Sequence, residues 1–307
     1  MSTFHCPIGV VAYQEEGCIN CGLCQASTMQ ESRIAAERMR AHIQATASER
    51  DSRSVQKICV CGKGGVGKST LTALTALVFV NKGYQTLVID TDESNPSLYR
   101  KLGLESEPKP LLSYLDRFSM EYGIPEGTWL SQDTLLLREI PEEFLVRDGR
   151  LALMETGKID EPFQGCACSM ADLSRQLMYT LSPEEKEVVI VDLEAGVESF
   201  GRGVEQGVDT ILAVVESSYD SIRLAEKIKE MANGIGIRRV AAVINKVPDK
   251  SIEKLVRREL EKLEIPILTT LFLQDELLRA ALSGASLTDH LQSYQIVSEA
   301  VEQLLQM

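Results

Sequence analysis

The sequence predicts an α/β fold: a doubly wound, mostly parallel sheet with helices on both faces. Three observations carry this. From Val55 onward, short apolar runs alternate with longer amphipathic stretches, the pattern of strand–helix units. A glycine-rich turn at residues 62–69 lies between such a run and a helical stretch. The 307 residues, 44% of them hydrophobic, suffice to bury one large core and leave room for an appendage.

In chain order, residues 1–28 form a cysteine-bearing segment. Residues 29–54 read as a helical connector, with Ile34, Met39 and Ile43 near helical spacing, ending in a polar Ser/Arg-rich link. Residues 55–307 form the main domain, with strands predicted at 55–61, 85–90, 134–139, 151–155, 187–192, 210–216, 238–245 and 266–272. A helix is predicted from Ser69 to Asn81 and a last one from Ser293 to Gln306. The stretch 105–150, which holds Trp129, matches no motif and reads as either a partner surface or a peripheral insertion.

Charge narrows the partners. A net charge of −13 repels nucleic acid and anionic lipid, so neither DNA, RNA nor a membrane is expected as a partner. The last helix carries Glu299 and Glu302 and no Lys or Arg, the wrong polar face for a lipid surface. With no apolar run of membrane-spanning length and no signal-peptide pattern, a cytoplasmic location is expected. Eight cysteines in such a chain point to metal or redox chemistry. His5, His42 and His290 fall outside every motif and read as surface or packing residues.

The turn fits Gly-x₄-Gly-Lys-Ser from Gly62 to Ser69. Its strand–loop–helix context makes it a phosphate-binding loop: Gly62, Gly64, Gly65, Val66, Gly67 and Thr70 supply the nest and the helix N-terminus. Lys68 would neutralise the β/γ-phosphates of ATP and Ser69 would ligate Mg²⁺. The strand 85–90 runs on to Asp92, a candidate to orient or deprotonate an attacking water. The strand 187–192 ends on Asp192, a Walker-B-like carboxylate for Mg²⁺. Gly196 could offer its N–H to the γ-phosphate and move when that group is lost. Asn245 either pairs with the adenine edge or forms a turn. Leu273 to Glu276 could complete the base pocket.

Two cysteine patterns stand apart. Cys18, Cys21 and Cys24 match the Cys-x₂-Cys-x₂-Cys run of bacterial ferredoxins, and Cys6-Pro7 supplies a fourth ligand, giving one [4Fe-4S] cluster. A zinc knuckle is the alternative. Cys166-x-Cys168 is too close-set to build a tetrahedral site from one chain, but two copies across a two-fold axis give four thiolates. Such a cage suits zinc, another soft divalent metal or an iron–sulfur cluster; two buried thiols are the plain alternative. Cys59 and Cys61 read as core residues of a buried strand.

With the extra lysine, Lys63, residues 62–70 resemble the deviant-Walker ATPases, P-loop NTPases that include nitrogenase iron protein, septum-site and partition ATPases, and metallocluster assembly ATPases. The resemblance covers residues 55–307 and implies a homodimer in which Lys63 reaches across to the partner's ATP. Asp192 to Arg202, Gly157-Lys158-Ile159 and Gly165-Cys166-Ala167-Cys168 are most similar to the nickel-insertion accessory ATPase of carbon monoxide dehydrogenase. That resemblance implies metal at a Cys166/Cys168 dimer interface, nickel delivery and a client metalloenzyme. An ATP-gated iron–sulfur electron donor and a cluster carrier are the alternatives; a DNA-partition or membrane-positioning ATPase shares the Lys63 signature.

Overall fold

The computed structural model describes residues 30, 34, 37, 38, 55–92, 97–116, 128–132, 134–157, 167–197, 207–237, 239–288 and 291–307. The cysteine-bearing segment 1–28 and nearly all of the connector 29–54 lie outside them. Eight strands form one sheet: β1 (Lys57–Gly62), β2 (Gln85–Asp90), β3 (Val146–Asp148), β4 (Leu151–Glu155), β5 (Glu187–Asp192), β6 (Thr210–Val215), β7 (Arg239–Val247) and β8 (Ile267–Phe272). Their order is β3-β4-β2-β5-β1-β6-β7-β8, parallel throughout except for β3 against β4. Near-continuous Val/Ile/Leu runs are what a parallel sheet covered on both faces requires.

The helices are α1 (Lys68–Asn81), α2 (Leu98–Lys101), α3 (Leu112–Asp116), α4 (Ala167–Thr180), α5 (Tyr219–Gly234), α6 (Lys250–Lys262), α7 (Asp275–Ser283) and α8 (Leu291–Gln306). On one face, Leu71, Leu74 and Phe79 of α1 and Val297, Val301 and Leu304 of α8 pack on Ile58, Val60, Val88 and Ile190. Each large aliphatic or aromatic side chain so buried contributes about 1.5–3 kcal/mol. On the other face, Leu173 and Leu177 of α4 and Ile228 of α5 cover Ile89, Met154, Val191 and Ile211. Cys59 and Cys61 belong to this second face and are fully buried free thiols, as their place in a core strand predicts.

Two departures from the sequence reading concern residues 134–148. The apolar run 134–139 is not a strand: only Leu135 makes an isolated bridge, to Leu181, and Leu137–Glu139 closes into a 3₁₀ turn. The Glu139 carboxylate accepts the Leu136 N–H at 2.9 Å, holding that turn. The unpredicted strand is β3, a charged three-residue edge whose Arg147 and Asp148 show no apolar alternation. Nor is this region merely peripheral. Leu111, Leu130, Leu135 and Phe144 are fully buried in the second core, and Trp129 lies against Tyr114 and Phe144 at centroid separations of 5.9 and 6.0 Å.

Candidate nucleotide-binding site

Strand order reverses around β1, which lies between β5 and β6, so the turn leaving β1 sits at the crevice where such sheets bind ligands. Gly62 has φ 151°, and a Cβ there would lie 2.6 Å from the Val214 carbonyl oxygen. Gly67 has φ 102°, and its Cβ would meet Asn245 Nδ2 at 2.3 Å. Glycine at these positions is therefore required by space as well as by backbone conformation. Helix α1 begins at Gly67 with no side-chain cap and no acidic residue in its first turn. Its leading N–H groups are left for an anion. Lys68 is buried at this end, with Ser69 and Thr70 in the same turn.

Beside the loop, β5, β2 and β4 end in register on Asp192, Asp90 and Glu155. In-register residues of neighbouring strands share a face, and the next such residues back, Val88, Leu153 and Ile190, pack with α1. All three carboxylates are buried. Thr72 of α1 donates to Asp192 Oδ1 at 3.3 Å. Asp192 Oδ2 is buried with no hydrogen-bond partner among the described residues. Burial and the nearby Asp90 push the Asp192 carboxyl up to about 7, against the pull of the Ser69 hydroxyl and the Lys68 ammonium. A buried carboxylate oxygen left open beside Ser69 and Lys68 fits a hydrated Mg²⁺, which on binding would neutralise phosphate charge. Lys101 of α2 also feels Asp192 and Asp90, although burial holds its ammonium below the usual lysine range.

The segment after β2 is tied to this row. Thr91 donates its N–H and hydroxyl to the Asp192 carbonyl at 3.1 and 2.9 Å, and the Asp92 N–H donates to Asp90 Oδ1 at 3.0 Å. Asp92 thus follows the carboxylate row at the sheet edge, half-buried. The segment after β5 leans on the loop itself: the Gly196 N–H donates to the Gly62 carbonyl at 3.2 Å, and a Cβ at Gly64 would touch Ala195 at 3.7 Å.

Lys63 is 3.3 Å from Glu216, just beyond β6. The Ser218 hydroxyl donates to the same Glu216 oxygen at 3.3 Å, and the Glu216 N–H donates to Ser221 Oγ at 3.1 Å. Asn245, at the end of β7, donates its side-chain amide to the Val66 carbonyl at 2.8 Å. Leu273 is half exposed, after β8 and before α7.

Of the predicted site residues, the structure gathers Gly62, Lys63, Gly64, Gly65, Val66, Gly67, Lys68, Ser69, Thr70, Asp92, Asp192, Gly196 and Asn245 at one sheet edge. Cys6, Cys18, Cys21, Cys24 and Cys166 lie outside the described residues, and Cys168 stands in the first turn of α4. Sequence reasoning missed Thr72, Glu155 and Glu216. Glu155 carried a readable signal, since it closes an apolar strand on a carboxylate just as Asp90 and Asp192 do. Thr72 and Glu216 carried none.

A Gly-x₄-Gly-Lys-Ser loop feeding an uncapped helix, with a buried strand-end carboxylate beside it, defines a nucleotide-binding P-loop ATPase. The chain belongs to the CbiA family, the CobQ/CobB/MinD/ParA nucleotide binding domain, which matches residues 58–287. It is 38% identical over 249 residues to an uncharacterized ATP-binding protein of Methanocaldococcus jannaschii, covering 79% of this chain and 98% of that one. It is 34% identical over 199 residues to the carbon monoxide dehydrogenase accessory protein CooC of Rhodospirillum rubrum, covering 62% and 74% of the two chains. Among solved structures, the MinC:MinD cell division protein complex of Aquifex aeolicus matches with a TM-score of 0.61 at 20% identity, over 82% of this chain and 96% of that one, a likeness of fold. No helix among the described residues is long and apolar enough to cross a membrane.

Proposed function

We propose that this ATPase is a metallocentre maturation factor, in which ATP-driven pairing of two chains gathers Cys166 and Cys168 from each into a four-thiolate site. One observation carries the reading. Along the chain, β4 ends on Glu155, which is in register with Asp90 and, through it, with Asp192, and the next helix, α4, holds Cys168 in its first turn, with Cys166 just before it in sequence. In this reading, a displacement of the carboxylate row on nucleotide binding would be felt at the thiols, which follow it closely along the chain. The similarity to an accessory protein of carbon monoxide dehydrogenase supports the same direction. The metal is cargo: zinc or nickel held as S₄, or a bridging iron–sulfur cluster, for delivery to a client metalloenzyme. Cys6, Cys18, Cys21 and Cys24 would hold a separate [4Fe-4S] cluster that passes an electron or docks the client. Lys63 would leave Glu216 and cross to the partner's ATP.

The test is metal analysis and EPR of anaerobically purified full-length protein with and without ATP. Replacing both Cys166 and Cys168 by Ala should abolish the ATP-dependent metal and leave the N-terminal cluster signal. Replacing Cys18 and Cys21 by Ala should do the reverse. Retention of the ATP-dependent metal by the first variant would overturn the interfacial site.

A further inference from the structure

The far side of the phosphate loop carries a contact that nothing above uses. Between β7 and β8 the register runs from Ile244 opposite Thr270 to Val247 opposite Phe272, so β7 holds one extra residue there. In a regular strand Asn245 and Lys246 would point to opposite faces. Here Lys246 takes the left-handed conformation, φ 56°, and both side chains reach the same loop. Asn245 Nδ2 donates to the Val66 carbonyl at 2.8 Å, and Lys246 Nζ donates to the Gly65 carbonyl at 2.6 Å. The space above Gly67 is filled by the pair, with Lys246 Cε 3.9 Å from where a Cβ would be.

We propose that Lys246 is a positioning residue for nucleotide binding, the outer half of a bulge-built brace that fixes the Gly65 and Val66 peptide planes. In a trans peptide the carbonyl and the following N–H point in opposite directions. Pinning the Gly65 and Val66 carbonyls toward β7 turns the Val66 and Gly67 N–H groups away from it. The Val66 N–H then closes the turn onto the Lys63 carbonyl at 3.3 Å. The Gly67 N–H stands at the start of α1, where the anion-binding N–H groups begin. A loop held this way binds phosphate without first having to order itself. The ammonium makes the contact charge-assisted and places one more positive charge behind the loop.

The variants Lys246→Met and Lys246→Arg would be compared in the full-length protein by titration with a fluorescent ADP analogue, steady-state ATPase kinetics and ligand-free thermal melting. The Met variant keeps the aliphatic stem against Gly67. It should weaken analogue affinity and raise KM for ATP by about three- to tenfold, the scale of one exposed charge-assisted contact. Its kcat should stay within about twofold and its ligand-free Tm close to that of the parent, because Lys246 touches no reacting group. Arg should recover most of the affinity. Affinity within a factor of about 1.5 of the parent in the Met variant would overturn the proposal. So would a fall in kcat with KM unchanged, or a loss of affinity accompanied by a large fall in ligand-free Tm.

Discussion

The phosphate loop is gripped differently on its two sides. Toward β7, Asn245 and Lys246 hold successive carbonyls through side-chain donors, and Gly67 is packed without spare room. Toward β5, the Gly196 N–H donates to the Gly62 carbonyl, and the carboxylate below keeps a buried oxygen without a hydrogen-bond partner among the described residues. The first side is held by side-chain donors and close-packed; the second contains a buried carboxylate oxygen that a cation would partner. The contrast teaches that a close-packed flank and a flank with an open buried carboxylate oxygen lie on opposite sides of one loop, so a bound cation would be expected to act on the β5 side.

The most damaging change to the close-packed flank is Gly67→Ala. The new Cβ must displace Asn245, and alanine must adopt φ 102°. A loss of about 2–4 kcal/mol in stability and of all measurable nucleotide binding is expected, read by thermal melting and calorimetric titration. Near-normal binding would show that the brace is loose.

On the β5 flank, Asp192→Asn should lower turnover by about two orders of magnitude, the scale of removing one preorganised charged group. The same variant should stabilise the ligand-free protein near pH 8. The Asp192 carboxyl is raised to about 7 in the folded chain from an ordinary value near 3.8. The unfolded chain releases that proton first, so the stability linked to the protonated form is complete below about pH 4 and is lost as pH rises through 7. The parent should therefore fall behind the Asn variant across that window by ~1–3 kcal/mol, with Asp90 sharing the interaction. Melting curves that stay parallel from pH 5 to pH 8 would mean that Asp192 is solvated.

Smaller effects separate packing from chemistry. Cys61→Ala removes a thiol buried on the face away from α1 and should cost about 1 kcal/mol with bound metal unchanged, as seen in paired denaturation and metal assays. Smallest in the ligand-free state is Lys63→Ala. Its partnership with Glu216 is only partly buried and should contribute under about 1 kcal/mol. Light scattering with ATP should nevertheless find this variant monomeric. Normal ATP-driven pairing would remove Lys63 from the proposed dimer.

Much of this was legible in the sequence. The glycines of the loop, Lys68 and Ser69 announced themselves because a phosphate nest is a local object, built from consecutive residues whose spacing is its geometry. Seven of the eight strands followed from apolar runs that only a sheet covered on both faces needs. The errors fell where that rule stops. Leu135 and Leu137 are apolar because they line the second core, and they do so outside the strands of the sheet. β3 is charged because it closes the strand order, with no strand beyond it among the described residues, and its Arg147 and Asp148 are exposed.

What the sequence determined by itself was therefore the class of fold, the loop and the strand ends that carry carboxylates, all properties of neighbours along the chain. Tertiary structure alone decided which of those ends stand side by side, that Glu216 faces Lys63 across 153 positions, and that Asn245 and Lys246 meet the loop across 179 and 181. The order of strands goes with the burial of two faces at once, and the bulge at Lys246 lies where β7 both pairs with β8 and reaches back to the loop. Those conditions are set by the whole sheet, and no stretch of neighbouring residues spells them out.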